Sequence, residues 1–378
     1  MGQIGYICQS KMYHIMLTVE ALAHEIRGGI TIFCIIWSFL LFPARKQSRM
    51  MQLLFISTLW LSLSYLKDTV FIFEAVKNNI FVDNLAKLID LTFVPFIGAF
   101  FIEATRPGLP KNWHIALAFA LQLCLIAAYV LKPNAIIFLS AFFLSLAMAI
   151  GTLFFVIISA SRYNKVLSYN YSNIENKNVS WVVRYSLLFF VFVISYPLLF
   201  NHTVWLSEAV YNLGWMIVLS FLFIMSKKHK VVNLNIDVYD AHVNSASSDC
   251  NDELISNKEE ITMKDDLIGN KLFKTMEEEK LFLNPELSLR EVSAAIGSNM
   301  KYLSLYLNRN LGTSFYEYVN KFRVEEACVL IQRMERDGRR NMAEVAQLSG
   351  FNSLSSFNRY FKKEKNMTPK EYYYFHKN

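Results

Sequence analysis

Two short stretches of this chain set polar side chains along one face of a helix. In the first, Asn299, Lys301, Ser304, Leu305, Asn308 and Arg309 fall opposite Leu303 and Leu307. In the second, Ser353, Ser355, Ser356, Asn358, Arg359, Lys362 and Lys363 fall opposite Phe357, Tyr360 and Phe361. Amide and guanidinium groups at such spacing suit hydrogen bonding to base edges, and lysine and arginine suit phosphate oxygens. On helix position, Arg359, Asn358 and Lys301 are expected at bases or nearby phosphates, with Arg309, Lys362 and Lys363 on the nucleic-acid backbone. From Ser288 onward there are fifteen Lys and Arg against nine Asp and Glu. That surplus fits binding to a polyanion, with an affinity that salt would weaken.

The flanking residues predict the elements that would hold these faces. Ser288-Leu-Arg-Glu291 is a capping box opening a short helix with Val292, Ala294, Ala295 and Ile296,. Gly297 supplies a turn, and Ser298 or Asn299 caps a second helix whose apolar face is Tyr302, Leu303, Tyr306 and Leu307. The same pattern returns with Val345, Ala346 and Leu348, a turn at Gly350, and a cap at Asn352 or Ser353. Two short helices joined by a glycine turn, with a polar outer face on the second, form a helix-turn-helix signature. A long helix over 314–334 joins the pair, burying Phe315, Tyr318, Val319, Phe322, Ala327, Leu330 and Ile331. Upstream, residues 265–280 carry an amphipathic stripe of Leu267, Ile268, Leu272, Phe273 and Met276. A final box, Thr368-Pro-Lys-Glu371, starts a closing helix.

At these residues the chain resembles the DNA-binding module of the AraC family of bacterial transcription regulators. The positions that carry the resemblance are Ala346, Gly350-Phe351, Phe357, Arg359, Phe361-Lys362-Lys363 and Thr368-Pro369, with Phe315, Tyr318, Arg323, Ala327 and Leu330 in the connecting helix. Asn366 stands where the family usually has Gly, Leu305 and Tyr373 where it often has Arg. The resemblance covers 265–378 and implies double-stranded DNA and RNA polymerase as partners.

The rest of the chain is unlike this. Hydrophobic residues make up 54% of the whole, and all six Trp precede residue 226. Seven stretches (28–44, 50–66, 88–104, 112–131, 133–161, 185–207 and 209–226) are nearly free of charge. At about 1.5 Å per residue, each reaches across roughly 25 Å of hydrocarbon. With seven spans and an outer N-terminus, the inner segments carry Arg45, Lys46, Arg49, Arg106, Lys111, Arg162, Lys165, Lys177, Lys227, Lys228 and Lys230. The outer ones carry Lys11, Arg27, Lys67, Lys77, Lys87 and Lys132. This bias places the C-terminal half in the cytoplasm of a protein of the inner membrane; losing the weak third span would give six. Residues 1–27 lack the pattern of a signal peptide.

Within this block Arg184 and Glu103 either pair or reach the interface separately. Asp68, Asp90, His202 and Glu208 gather at the outer ends of spans, as a pocket for an extracytoplasmic small-molecule signal or as plain interfacial residues. Residues 231–264, with seven acidic side chains against two lysines, read as a flexible acidic linker that either tethers or competes with DNA. Cys8, Cys34, Cys124, Cys250 and Cys328 have no zinc-binding spacing.

The sequence therefore predicts an all-α protein. Residues 1–230 form a transmembrane sensory bundle of about seven helices, 231–264 the linker, and 265–378 a seven-helix domain with two helix-turn-helix units. With no phosphate loop, nucleophile elbow or zinc-protease motif, neither enzymatic activity nor a cofactor is expected. A homodimer would lengthen the bound site. A transporter or membrane enzyme with a regulatory tail, and a regulator released by cleavage in the linker, are the competing readings.

Overall fold

A computed structural model describes residues 2–68, 79–199, 205–230, 232, 258–337 and 341–377. The described residues are almost wholly helical, and they divide into two compact units. One is Met1–Ser161 with Val179–Val231; the other is Val232–Asn378 with Arg162–Asn178. The 162–178 segment, an inner loop in the sequence reading, thus belongs to the C-terminal unit. Most of the expected linker and His202 lie outside the described residues.

The first unit contains α1 (Gly2–Leu41), α2 (Arg49–Lys67), α3 (Ile80–Leu91), α4 (Val94–Thr105), α5 (Asn112–Leu131), α6 (Ala135–Asn170, whose end joins the second unit), α7 (Ser180–Leu199) and α8 (Trp205–Lys228). Among the described residues, five segments are long and apolar enough to cross a membrane: Ala21–Leu41, Ile80–Thr105, Asn112–Leu131, Ala135–Asn170 and Ala209–Lys228. The sequence reading counted seven. Of the other two, α2 carries Ser57, Thr58, Ser62 and Ser64 between terminal charges, and the apolar part of α7, Ser180–Ser195, is short. Phe39, Leu131, Phe154 and Ile217 are each more than half exposed, so apolar side chains face outward as well as inward.

The third span is broken rather than weak. Pro95 cannot donate to the preceding turn, and the helix divides at Thr92-Phe93,. The Leu91 carbonyl, which Pro95 leaves without a donor, accepts from Gln122 Nε2 at 3.0 Å, and Trp60 Nε1 donates to the neighbouring Thr92 Oγ1 at 2.9 Å. Such replacement is what tolerates a broken helix among apolar surroundings. Glu103, at the end of α4, pairs with Arg49 at 3.5 Å and accepts from the Gly108 amide at 3.0 Å. The suggested Arg184 pairing is therefore corrected: Arg49 at the start of α2 is brought to Glu103 instead.

The second unit contains α9 (Lys258–Glu277), α10 (Leu289–Ala295), α11 (Met300–Arg309), α12 (Phe315–Asp337), α13 (Met342–Leu348), α14 (Leu354–Lys365) and α15 (Pro369–Lys377). α9 begins seven residues before the expected start, inside the stretch read as linker. Two hydrophobic cores form, and α12 feeds both. Its first turns contribute Phe315 and Val319 to a core with Leu272, Met276, Val292, Leu303 and Leu307. Its later turns contribute Val324, Ala327, Cys328 and Ile331 to a core with Val345, Ala346, Phe357, Phe361 and Tyr373. Tyr302, expected on the apolar face of its helix, and Leu267 and Phe273, expected on the stripe of 265–280, are exposed instead. Each helix buries a narrow stripe, and these positions fall beyond its edge.

Between the two cores lies Arg323, 1% exposed. Its guanidinium donates to the carbonyls of Phe282 (2.8 Å) and Asn284 (2.7 Å), to Asn320 Oδ1 (3.1 Å), and to the Ser172 carbonyl and hydroxyl (3.2 and 2.9 Å). Burial lowers its pKa to about 10, so it stays charged at neutral pH. It holds the chain between α9 and α10 against α12, which fixes how the first core meets the second.

Candidate nucleic-acid interface

Each polar face is aimed by a capped helix on a glycine turn. Gly297 and Gly350 take φ +65° and +85°, the left-handed region that L side chains avoid,. Of the alternative caps, Asn299 and Ser353 serve: Asn299 Oδ1 accepts from the Tyr302 amide at 2.9 Å, Ser353 Oγ from the Ser356 amide at 3.1 Å. Both capping boxes form, Ser288 with Glu291 and Thr368 with Glu371. Asn366 ends α14 with φ +56°, as its place in the Gly position requires,.

The candidate residues divide into three environments. Lys301, Arg309, Ser355, Asn358, Arg359, Lys362 and Lys363 are exposed. Ser304 and Asn308 are half-buried and bonded to each other's turn, Asn308 Nδ2 donating to the Ser304 carbonyl at 2.8 Å. Ser353 and Ser356 are half-buried and donate to Glu175 Oε2, at 2.5 and 3.0 Å. Asn352, beside the cap, donates to Glu286 Oε1 at 2.8 Å. The start of α14 is thus the contacted end of its polar face.

The basic end of α14 leans on α12. Lys363 Nζ donates to Glu317 Oε1 at 2.8 Å, and Arg359 Nη2 lies 3.5 Å from the Tyr316 hydroxyl. The bond from Lys363 holds the Glu317 carboxyl below its usual range, and the bond to Glu317 holds the Lys363 ammonium above its own. Lys363 therefore contributes charge to the face while part of its hydrogen bonding is spent within the domain.

Known proteins resemble the same C-terminal stretch in sequence. Residues 292–373 match a family described as a helix-turn-helix domain. Uncharacterized HTH-type transcriptional regulators of Staphylococcus aureus, from strains COL and MSSA476, are each 31% identical over 93 residues. The matched stretch is 25% of this chain and 12% of each relative. The C-terminal domain of the two-component response regulator yesN from Fusobacterium nucleatum is 27% identical. That match covers 29% of this chain and 95% of that one, with a TM-score of 0.24. The C-terminal unit carries a DNA-binding helix-turn-helix domain of the AraC type. Within that unit, α11 and α14 carry the outward polar faces.

A second candidate site lies in the first unit. A cavity of about 70 Å³ is lined by Ser64, Tyr65, Asp68 and Asp90 among Leu61, Leu91, Phe93, Val94, Phe189, Val193, Tyr211 and Trp215. Asp68 and Asp90, two of the four expected ligand residues, meet here. Lys67 Nζ joins them, 2.5 Å from Asp68 and 2.8 Å from Asp90, and the Ser64 hydroxyl donates to Asp90. His202 and the side chain of Glu208 lie outside the described residues. Lys67, an outer charge by sequence, bridges the two carboxylates, and its place beside Asp68 is the one local sign of that role. Among the described residues no cluster of His, Cys, Asp and Glu is arranged to hold a metal, and Cys34, Cys124 and Cys328 are free thiols.

Proposed function

We propose that this chain is a membrane-embedded, sequence-specific transcription regulator that couples a signal at the membrane to gene expression. The observation that carries it is the union, in one polypeptide, of five span-length apolar helices with a helix-turn-helix DNA-binding domain. The outward apolar side chains of the first unit fit a hydrocarbon surround better than water, where exposed apolar patches of that extent are uncommon,. The basic residues at 162–177 and 227–230 support a C-terminal unit on the cytoplasmic side of the inner membrane, where DNA is,. On this reading α2 and α7 complete a bundle of seven spans. The Asp68–Lys67–Asp90 cavity receives a small molecule from outside the cytoplasm, a homodimer spans a two-part operator, and RNA polymerase is the downstream partner.

α11 and α14 enter successive major grooves on one face of the duplex, with α12 setting their separation. Arg359, Asn358 and Lys301 read bases; Arg309, Lys362 and Lys363 hold phosphates. The remaining polar positions (Asn299, Ser304, Asn308, Ser353, Ser355 and Ser356) orient the two helix starts on the duplex.

The test is genome-wide DNA occupancy of the full-length chain in cells, with its size and membrane association followed in the same samples. Discrete sites bound by intact, membrane-retained protein are the expected result. Sites bound by a shortened soluble fragment would replace this reading with proteolytic release. Absence of discrete sites would remove sequence-specific regulation altogether.

A further inference from the structure

The segment that follows α6 is built into the C-terminal unit at the place where α14 begins. Tyr171 bridges to Ser288 in antiparallel fashion, and the Ser172 amide and hydroxyl both donate to the Leu287 carbonyl, at 3.0 and 2.7 Å. Ser172, 1% exposed, also accepts from Arg323 and Asn320. Asn173 Nδ2 and Lys177 Nζ donate to the two oxygens of Glu286, at 2.9 and 2.7 Å. Glu286 in turn accepts from Asn352. The turn between these anchors delivers Glu175, whose carboxylate takes the hydroxyls of Ser353 and Ser356.

A carboxylate accepting hydrogen bonds at the first turn of a recognition helix makes the bonds that a DNA phosphate would make there. It carries the same sign of charge and the same acceptor oxygens, so the two compete for one place. The contact joins residues 178 and 181 positions apart, so it depends on docking of the segment as a whole. The chain ties that segment to α6 on one side and α7 on the other, two of the apolar helices of the N-terminal half.

We propose that 171–178 is an intramolecular competitor of DNA, with Glu175 standing in for a phosphate at the start of α14. This rests on the DNA-binding reading of the C-terminal unit and adds how that binding is restrained. Undocking withdraws Glu175 from Ser353 and Ser356, and a change at the ends of α6 and α7 reaches DNA by this covalent route. The earlier recognition helix, α11, has no bond from Glu175, so restraint falls on the second half of the reader.

The test measures affinity of full-length protein, in nanodiscs, for a mixed-sequence DNA duplex at low salt. Glu175→Gln removes the competing charge and keeps the shape. Ser172→Phe does not change net charge and prevents seating of the segment beside Arg323. Glu278→Gln makes the same charge change at an exposed site that pairs with Lys274. Charge-assisted hydrogen bonds of about 1.5 kcal/mol or more correspond to roughly tenfold in affinity. Glu175→Gln and Ser172→Phe are therefore each expected to tighten binding about tenfold, and Glu278→Gln to change it less than about twofold. Amide exchange of 171–178 in the wild-type protein should rise when duplex is added. Duplex binding by both variants and not by wild type would support the proposal most strongly. Unchanged affinity in both variants, equal tightening by Glu278→Gln, or a segment still protected with DNA bound would each overturn it while leaving DNA binding intact. Failure of all forms to bind duplex would overturn the DNA-binding reading, and this inference with it.

Discussion

The two helix-turn-helix units are built alike and differ in what surrounds them. Each has a short first helix, a left-handed glycine and a side-chain cap on its second helix. The first core is completed by α9 and the 281–283 turn; the second is completed by α15. The last turn of α14 carries Lys362, Lys363 and Lys365, whereas that of α11 carries Arg309. The start of α14 holds the Glu175 carboxylate. A repeated backbone motif thus presents two chemically unequal faces. The second is the more cationic and the one in contact with a competing acid.

The comparison is tested most severely by its cores. Phe357 and Leu303 are both fully buried, one in each core. Phe357→Ala should destabilise the unit by about 3–5 kcal/mol and Leu303→Ala by about 2–5 kcal/mol. Urea unfolding followed by amide exchange reads both. Because α12 serves both cores, each substitution should lower protection in the opposite helix-turn-helix as well; a loss confined to one half would show the cores to be independent.

The glycines should separate more clearly. A Cβ on Gly350 would lie 2.6 Å from the Phe282 carbonyl and 2.9 Å from Leu283 Cα, whereas one on Gly297 meets Lys271 Nζ at 4.0 Å. Gly350→Ala combines left-handed strain with a backbone collision, about 2–4 kcal/mol. Gly297→Ala carries the strain alone, about 1–2 kcal/mol. Equal falls in Tm for the two would refute this account of the second turn.

On function, Arg359→Ala should weaken specific binding by about 1–3 kcal/mol if the guanidinium reads a base in bidentate fashion. Lys301→Ala, at a point charge, should lose affinity for specific and random duplex alike. An unchanged ratio of specific to random binding for Arg359→Ala would remove it from base reading.

The smallest effect is electrostatic and belongs to the second unit. The folded state lowers the Glu317 pKa from its ordinary 4.5, first through the Lys363 hydrogen bond, and raises that of Lys363 from 10.5, first through Glu317. A depressed carboxyl stabilises above its unfolded value and loses that contribution as pH falls through the folded one. A raised ammonium stabilises below its unfolded value and loses it as pH climbs through the folded one. The pair therefore contributes between about pH 4.5 and 10.5, by less than about 1 kcal/mol because both groups are partly solvated. The small Tm deficit of Glu317→Gln at pH 7 should vanish near pH 3; a deficit that persists there would place its cause in the bonds that Glu317 Oε2 accepts from the Ser314 amide and hydroxyl, at 3.4 and 3.2 Å.

Several elements were legible in the chain because their signals are local. The two capping boxes at Ser288 and Thr368, the glycines at 297 and 350 and the stripe Phe315, Val319, Ala327, Ile331 all act within a few residues of one another. Apolar length, which composition alone reveals, was legible for five of the seven stretches. Exposure at the edges of helices was less legible: Tyr302 and Phe273 have apolar side chains but lie outside the buried stripe.

What the sequence by itself determined is the local repertoire: all helix, two helix-turn-helix faces, and an apolar block before them. Periodicity, capping and turn chemistry are properties of neighbours, and the chain states them directly. What only the tertiary structure decided is which distant groups share a place. Arg323 meeting Ser172, Glu175 meeting Ser353 and Ser356, Lys67 joining Asp68 to Asp90, and Arg49 taking Glu103 are such pairings. Buried or half-buried polar groups must find partners, but many acids and bases in a chain could satisfy one another. Only the packed backbone brings particular ones within hydrogen-bonding distance.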